Sequence, residues 1–285
     1  MSFRLTSRGL VGILTACVAT GCQIEYDLIP IEDPAPVCGA PCIPSRQSAW
    51  HNPGPQPWQA GHAVEIVAWG HDVNAATNTE DGPQVAVIGG AKVSDKIVVL
   101  ENLLDKVDSV LIGGGMAYTF LKARGGAIGS SLCEDDRLDT ARAVMAKAAE
   151  KGVDLLLPCD HLIADDFSAA ANTQTVDGDI PDGWMGLDIG HATTELYRQQ
   201  LASAATVVWN GPMGVFELEP FSHGTSAIAT VLAGSDCLSV VGGGDSVAAI
   251  KKNKVEKSIS HISTGGGAFL EMLEGKQLPG IVALG

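Results

Sequence analysis

The stretch VAVIGGAKVSDK, residues 85–96, passes from an apolar run through two glycines into a polar segment that carries two lysines. Its apolar start is typical of a strand in a parallel sheet that helices cover on both faces. Four later runs share this character and predict four more strands; they begin at Ser109, Asp154, Thr206 and Leu238 and read SVLI, DLLL, TVVW and LSVV.

Segments with helical periodicity separate these runs. Residues 139–151 and 193–204 place Ala, Leu, Lys and Glu at helical spacing, so we predict a helix over each. Strands that alternate with helices indicate the α/β class. The expected architecture is an open, doubly wound parallel sheet with right-handed crossovers.

Four of the five predicted strands end in glycine-rich turns, namely those that begin at Val85, Ser109, Thr206 and Leu238. In such sheets ligands bind beyond the carboxyl ends of the strands, where the next helix begins and its free N–H groups point outward. Glycine there lets a ligand approach the backbone. One such turn is a weak indication, but several at the same edge of one sheet predict a ligand site.

Lys92 and Lys96 follow the first glycine turn four residues apart, which predicts that both ammonium groups lie on one face of a helix start. Two like charges at this spacing repel each other, so an anion between them is the functional interpretation. We expect a polyphosphate held by backbone amides and both lysines. The alternative is a solvated surface pair that Asp95 partly neutralises.

Six segments, in the order and with the spacing found in that family, resemble the signature segments of phosphoglycerate kinases. They are GGAKVSDK from Gly89, IGGGMAYTFLK from Ile112, WMGLDIG from Trp184, VVWNGPMGVFE from Val207, VGGGDS from Val241 and SHISTGGGAFLEMLEGK from Ser260. Residues 85–285 are thereby identified as similar to the C-terminal domain of that family. The resemblance implies a Rossmann-like domain that binds Mg-ATP or Mg-ADP and serves phosphoryl transfer between 3-phosphoglycerate and ATP.

The resemblance also implies a role for individual residues. Lys96 would bind the nucleotide phosphates, and Lys92 would neutralise charge on the phosphoryl group in transfer. Glu217 would accept hydrogen bonds from the ribose hydroxyls. Asp245 would reach the nucleotide-bound Mg²⁺, which takes its other ligands from water and phosphate oxygens. Asp245 and Ser246 could also be ordinary helix N-caps, and the two interpretations are compatible.

The implied nucleotide-binding set combines these residues with the glycine turns, in which residues 113–115 would form the adenine slot. The set is Gly89, Gly90, Ala91, Lys92, Lys96, Gly113, Gly114, Gly115, Asn210, Gly211, Pro212, Glu217, Gly242, Gly243, Gly244, Asp245 and Ser246. The implied catalytic set is Lys92, Gly265, Gly266 and Gly267. His261 receives no catalytic role, because transfer to a carboxylate needs no general base.

The first 22 residues resemble a secretory signal, with Arg4 and Arg8 before an apolar run that is too short to span a bilayer. Their ending, ATGC, resembles a lipobox in which Cys22 would carry the lipid, although Ala19 stands where leucine is usual. A lipid on Cys22 is the one expected membrane contact. A misassigned gene start or a fused fragment would explain the same segment.

Residues 23–82 are rich in proline and show neither helical nor strand periodicity, so we predict an irregular linker before a domain over residues 83–285. One apolar patch, residues 63–69, could form a strand. Cys38 and Cys42 favour a disulfide if the segment is exported; a metal site is the weaker interpretation of their spacing.

Kinases of the resembled family bind phosphoglycerate on an N-terminal domain through a basic patch. Before Val85 this sequence has only Arg4, Arg8 and Arg46 among its arginines, and none lies in a segment that resembles that domain. We therefore expect little turnover unless another chain supplies the substrate domain. The formal net charge of −15 disfavours nucleic acid as a partner.

Three functional hypotheses follow. The first is an enzyme part that binds nucleotide and is active only with a substrate domain. The second is an exported, lipid-anchored module that binds nucleotide or phosphate without catalysis. The third is a degenerate fragment whose motifs record descent alone.

Overall fold

The computed structural model describes residues 82–263 and 265–278, together with the backbone of two short strands nearer the N-terminus. These strands, β1 (Ile13–Ala16) and β2 (Tyr26–Ile29), pair antiparallel. β2 lies in the segment predicted to be an irregular linker. The rest of the predicted signal, Cys22, the two close cysteines and the patch at 63–69 lie outside the described residues, so these expectations remain predictions.

Six parallel strands form the main sheet, in the order β11-β10-β9-β3-β4-β5. Their bounds are β3 (Gln84–Ile88), β4 (Ser109–Ile112), β5 (Asp154–Leu156), β9 (Thr206–Asn210), β10 (Leu238–Gly242) and β11 (His261–Ser263). All five predicted strands and the doubly wound α/β class are confirmed. β11 was not predicted as a strand.

The chain reverses its direction across the sheet at β3. It adds β4 and β5 on one side of β3, and then returns to place β9, β10 and β11 on the other. Such a reversal leaves a crevice at the carboxyl ends of the two strands that flank it. The glycine turns after β3 and β9 lie at this crevice.

A smaller antiparallel sheet is inserted between β5 and β9. It consists of β6 (Asp160–Ala164), β7 (Thr173–Asp177) and β8 (Met185–Ile189), with β6 in the middle. β6 contains buried polar residues: the Asp160 carboxylate accepts hydrogen bonds from the Ala192 and Thr193 N–H groups at 2.8 and 2.7 Å. This inserted sheet therefore fixes the start of the following helix.

Seven α-helices lie in the described part of the chain. They are α1 (Ile97–Leu103), α2 (Met116–Ala123), α3 (Leu138–Lys151), α4 (His191–Ala202), α5 (His223–Ala233), α6 (Gly244–Lys252) and α7 (Gly266–Leu273). The two predicted helices are confirmed as α3 and α4. α3 ends where Gly152 adopts the left-handed conformation, at φ +71°.

The apolar faces of the helices cover the sheet on both sides. α4, α5 and α6 contribute Tyr197, Ile228 and Ile250 to a core that includes Val87 and Trp209 of the strands. α1 contacts α3 and α7, and α2 contacts α3. Alternation along the strands directs the Ile88 side chain to the opposite face of the sheet from that of Val87. Within the described residues, no helix is both long enough and apolar enough to cross a membrane.

Candidate functional site

Three glycine loops interlock at the carboxyl edge of the main sheet. The N–H groups of three glycines donate to carbonyl oxygens at the end of β9 and in the loop after it: Gly89 to Asn210 at 2.9 Å, Gly90 to Pro212 at 3.1 Å and Gly114 to Met213 at 2.8 Å. A Cβ on Gly89 would lie 2.1 Å from the Pro212 oxygen, and one on Gly113 would lie 2.5 Å from Met213 Sδ. These positions therefore need glycine for the loops to approach each other.

This interlocking revises one expectation about phosphate binding. The Gly89 and Gly90 N–H groups already donate to backbone carbonyls, so they are not free to hold a polyphosphate. Their glycines shape the crevice by allowing close approach of the backbone. The lysine side chains and the N–H groups at the helix starts are donors at this edge that an anion can use.

The Lys96 side chain joins two of the sequence motifs. Its Nζ donates to Asn210 Oδ1, and Asn210 Nδ2 donates to the Gly242 carbonyl oxygen at 2.8 Å. Burial lowers the pKa of Lys96, while the carboxylates of Asp95, Asp245 and Glu274 act in the opposite direction. Asp245 thus lies close enough to the Lys96 ammonium for the two charges to interact.

The two lysines do not lie on one helical face, so that expectation is wrong. α1 begins only at Ile97, with Lys96 at its N-cap position, and residues 92–95 form an irregular turn before it. Ser94 in this turn bonds to a distant carboxylate, that of Glu134, which competes with helix formation here. Lys92 is exposed on the turn.

The glycines after β10 lead into α6. Gly243 has φ +97°, and a Cβ there would lie 2.8 Å from Asn210 Nδ2. Ser246 is buried, and its Oγ accepts the Gly211 N–H at 2.6 Å. The N-terminus of α6 has no side-chain cap, so the structure does not support the view of Asp245 and Ser246 as ordinary N-caps.

The Asp245 carboxylate is suited to a nucleotide-bound Mg²⁺. It is exposed in the first turn of α6, and a single carboxylate is enough for an ion that keeps water and phosphate oxygens as its other ligands. No group of three or more metal-ligating side chains occurs in residues 82–263 and 265–278.

A segment that sequence reasoning missed borders the glycine loops; we call residues 131–135 the rim segment. Ser131 Oγ accepts the Gly186 N–H at 2.9 Å. Leu132 is 51% exposed although it is apolar, and its Cδ2 is 3.0 Å from the Cβ position of Gly115. In the sequence its only signal was the short apolar pair Leu132 and Cys133 between SS and EDD.

The remaining sequence-predicted residues lie around this crevice. Glu217 is exposed on the loop after β9, where Lys252 Nζ donates to the neighbouring Phe216 carbonyl oxygen at 2.5 Å. Ala91 is exposed beside Gly115. Gly266 and Gly267 start α7, just beyond β11 at the outer edge of the sheet, with Gly265 before them. α7 also lacks a side-chain cap at its N-terminus.

Comparison with known proteins decides the family. The family model for phosphoglycerate kinase matches residues 70–276. The chain belongs to the phosphoglycerate kinase family.

Relatives in this family are similar over the same region. A phosphoglycerate kinase of Acidobacterium capsulatum is 60% identical over 205 residues, which cover 71% of this chain and 51% of the relative. One of Clostridium botulinum is 58% identical over 209 residues, covering 73% of this chain and 53% of the relative. The chain spans about half the length of the curated phosphoglycerate kinases it matches.

Solved phosphoglycerate kinases share the fold. The structure of the enzyme from Coxiella burnetii superposes with a TM-score of 0.73 at 49% identity, covering 75% of this chain and 55% of that one. The enzyme from Pyrococcus horikoshii gives a TM-score of 0.65 at 34% identity, covering 75% and 54%. The Rossmann-like C-terminal fold expected from the motifs is therefore confirmed.

Proposed function

We propose that this domain binds Mg-ADP and Mg-ATP at the carboxyl edge of its main sheet, as the nucleotide half of a phosphoglycerate-kinase-type phosphotransferase. The observation that carries the proposal is the meeting of Lys96, Asn210 and Asp245 from three separate motifs beside the uncapped N-terminus of α6. An anion placed there would gain an ammonium group and free helix N–H groups.

The base would lie against the interlocked glycine loops. Gly114 and Gly115 are only partly buried and present no side chains at this edge, with the exposed Leu132 beside them, whereas Gly113 is buried against Met213. A flat aromatic ring fits a surface without Cβ atoms, and its burial would cover a leucine that is otherwise in water. Glu217, on the loop after β9, would accept hydrogen bonds from the ribose hydroxyl groups.

The phosphates would extend from the base towards α6. Lys96 would exchange its bond with Asn210 for phosphate oxygens, and Asp245 would bind the Mg²⁺ that accompanies them. The metal, when bound, offsets phosphate charge. Lys92 would place its ammonium at the terminal phosphate, where the uncapped start of α7 and Gly265, Gly266 and Gly267 would face the transferred group.

Substitution of Lys96 or Asp245 is expected to weaken nucleotide binding. Lys96→Met removes a charge-assisted hydrogen bond to phosphate, worth about 2 kcal/mol, or about 30-fold in Kd. Asp245→Asn should remove most of the difference in ADP affinity between buffers with Mg²⁺ and with EDTA. Calorimetric titration of the full chain measures both.

Lys251→Met is the matched control, because Lys251 is exposed near the far end of α6. It should leave the Kd of Mg-ADP within about twofold, as expected of a solvated surface charge. Equal losses from the variants at positions 96 and 251, or no binding by the unmodified chain, would refute the proposed site.

The chain alone is expected to transfer little phosphate to 3-phosphoglycerate. Holding donor and acceptor in line supplies several kcal/mol of barrier lowering, and we propose that the acceptor site belongs to a separate substrate domain. A coupled assay should detect turnover only after addition of the N-terminal half of a related phosphoglycerate kinase. Substantial turnover by the pure chain, or saturable binding of 3-phosphoglycerate without nucleotide, would contradict this expectation.

A further inference from the structure

The rim segment contains a carboxylate that connects α2 with the lysine turn. The Glu134 N–H donates to Thr119 Oγ1 at 3.1 Å, and Thr119 is buried on α2. The Glu134 carboxylate accepts the Ser94 hydroxyl at 2.7 Å through Oε1 and the Ser94 N–H at 3.0 Å through Oε2. Glu134 is therefore bonded to α2 through its backbone and, through its side chain, to Ser94 in the turn between Lys92 and Lys96.

The charge of Glu134 suits this arrangement. Burial raises the pKa of Glu134. Hydrogen bonds from Ser94 and Val93 and the charge of Lys92 lower it by more, so the pKa lies below its ordinary value. The group is thus a carboxylate at neutral pH, and both its oxygens serve as acceptors. Hydrogen bonds to an ionised acceptor are about twice as strong as neutral ones.

We propose that Glu134 is a positioning residue that fixes the turn at residues 92–95 and so determines where Lys92 presents its ammonium to the terminal phosphate. The inference rests on the proposed nucleotide function. Glu134 need not touch the nucleotide to act in this way. Its effect should fall on the outer phosphates and spare the base, which lies against the glycine loops.

For a Glu134→Gln variant, electrostatics alone and the positioning role predict changes of opposite sign in Mg-ATP affinity. Glu134→Gln removes a negative charge close to Lys92, and charge alone would then favour a more anionic ligand. Positioning predicts weaker binding, because the amide nitrogen of glutamine cannot accept the hydrogen bonds that hold the turn. The sign of the change therefore separates the two explanations.

The test is calorimetric titration of the full chain with Mg-ATP and with AMP. Glu134→Gln should raise the Kd of Mg-ATP about fivefold, as expected from loss of about one net hydrogen bond, and leave the Kd of AMP within about twofold of its original value. Ser94→Ala, which removes only the hydroxyl, should change Mg-ATP affinity in the same direction by a smaller factor. It keeps the inference testable if the Glu134 variant fails to fold.

Glu150→Gln is the matched control, since it removes an exposed carboxylate of α3 and should change neither affinity. Mg-ATP binding that is unchanged or tighter in Glu134→Gln would overturn the inference, and so would equal losses for AMP and Mg-ATP, which indicate general damage. An unmodified chain that binds neither ligand would refute the proposed function itself.

Discussion

Replacement of Gly211 with alanine is expected to lower the free energy of unfolding by about 4 kcal/mol. Gly211 has φ +97°, a backbone conformation that residues other than glycine rarely adopt. For alanine that conformation alone costs about 1–2 kcal/mol. The new Cβ would also lie 2.2 Å from the Gly89 carbonyl oxygen. Backbone cannot move away as a flexible side chain can, so overpacking adds about 1–3 kcal/mol.

Gly125→Ala separates the two causes. Gly125 has φ +94°, nearly the value at Gly211, but nothing lies within 4 Å of its Cβ position. The Gly125→Ala variant should therefore lose only the conformational part of the unfolding free energy, about 1–2 kcal/mol. Urea unfolding of both variants gives the comparison. Equal losses would mean that the loops can separate without cost, contrary to their interlocking.

The second large effect concerns a buried carboxylate between β8 and α5. Asp188 is 1% exposed, and it accepts the Ile189 N–H at 2.9 Å and the Gly224 N–H at 2.8 Å. Burial raises its pKa to about 7, against the opposing effect of these bonds and of one from the His223 backbone. The native protein thus holds a proton that the unfolded chain releases near its ordinary value of 3.8.

Stability is therefore expected to fall as the pH rises from about 4 to about 7. Within this range the native state binds more protons than the unfolded state, so raising the pH favours unfolding. Asp188→Asn removes this dependence. The difference in unfolding free energy between the two proteins should change by about 3 kcal/mol from pH 5 to pH 8.

Urea unfolding at several pH values measures this difference. The other ionisable groups occur in both proteins, so their contributions cancel in the comparison. Glu150→Gln, on the surface of α3, should follow the pH profile of the unmodified chain. Parallel profiles for Asp188→Asn and the unmodified chain would show that Asp188 is already ionised in the native state at pH 5.

The sequence predicted the main sheet well because its central strands are buried on both faces. Runs such as those at Val85 and Thr206 carry an apolar signal that does not depend on distant partners. β11 is only three residues long and contains His261 and Ser263, so it lacks that signal. β6 also lacks a local strand signal, because the buried Asp160 obtains its hydrogen-bond partners 32 and 33 residues away, at the start of α4.

In the candidate site, too, features with a local sequence signal were predicted, and those that depend on distant contacts were not. Motif resemblance grouped the glycine turns, Lys96, Asn210 and Asp245, and the structure brings these parts of the chain to one crevice. The rim segment was missed because Glu134 meets Ser94 across 40 residues, which local periodicity cannot reveal. The same contact explains why the lysine turn was taken for helix: a tertiary hydrogen bond overrides local propensity.

The interlocked glycine loops also determine when the proposed nucleotide site can form as the chain is synthesised. Gly89, Gly90 and Gly114 emerge from the ribosome about a hundred residues before the carbonyl groups that hold them, which end at Met213. Until β9 pairs beside β3, the crevice has only one wall. A nascent chain shorter than this point contains both lysines and the glycine turns after β3 and β4, yet it has no complete site. The crevice of the proposed nucleotide site therefore closes only once β9 has joined the sheet, and Asp245 at the start of α6 is added later still.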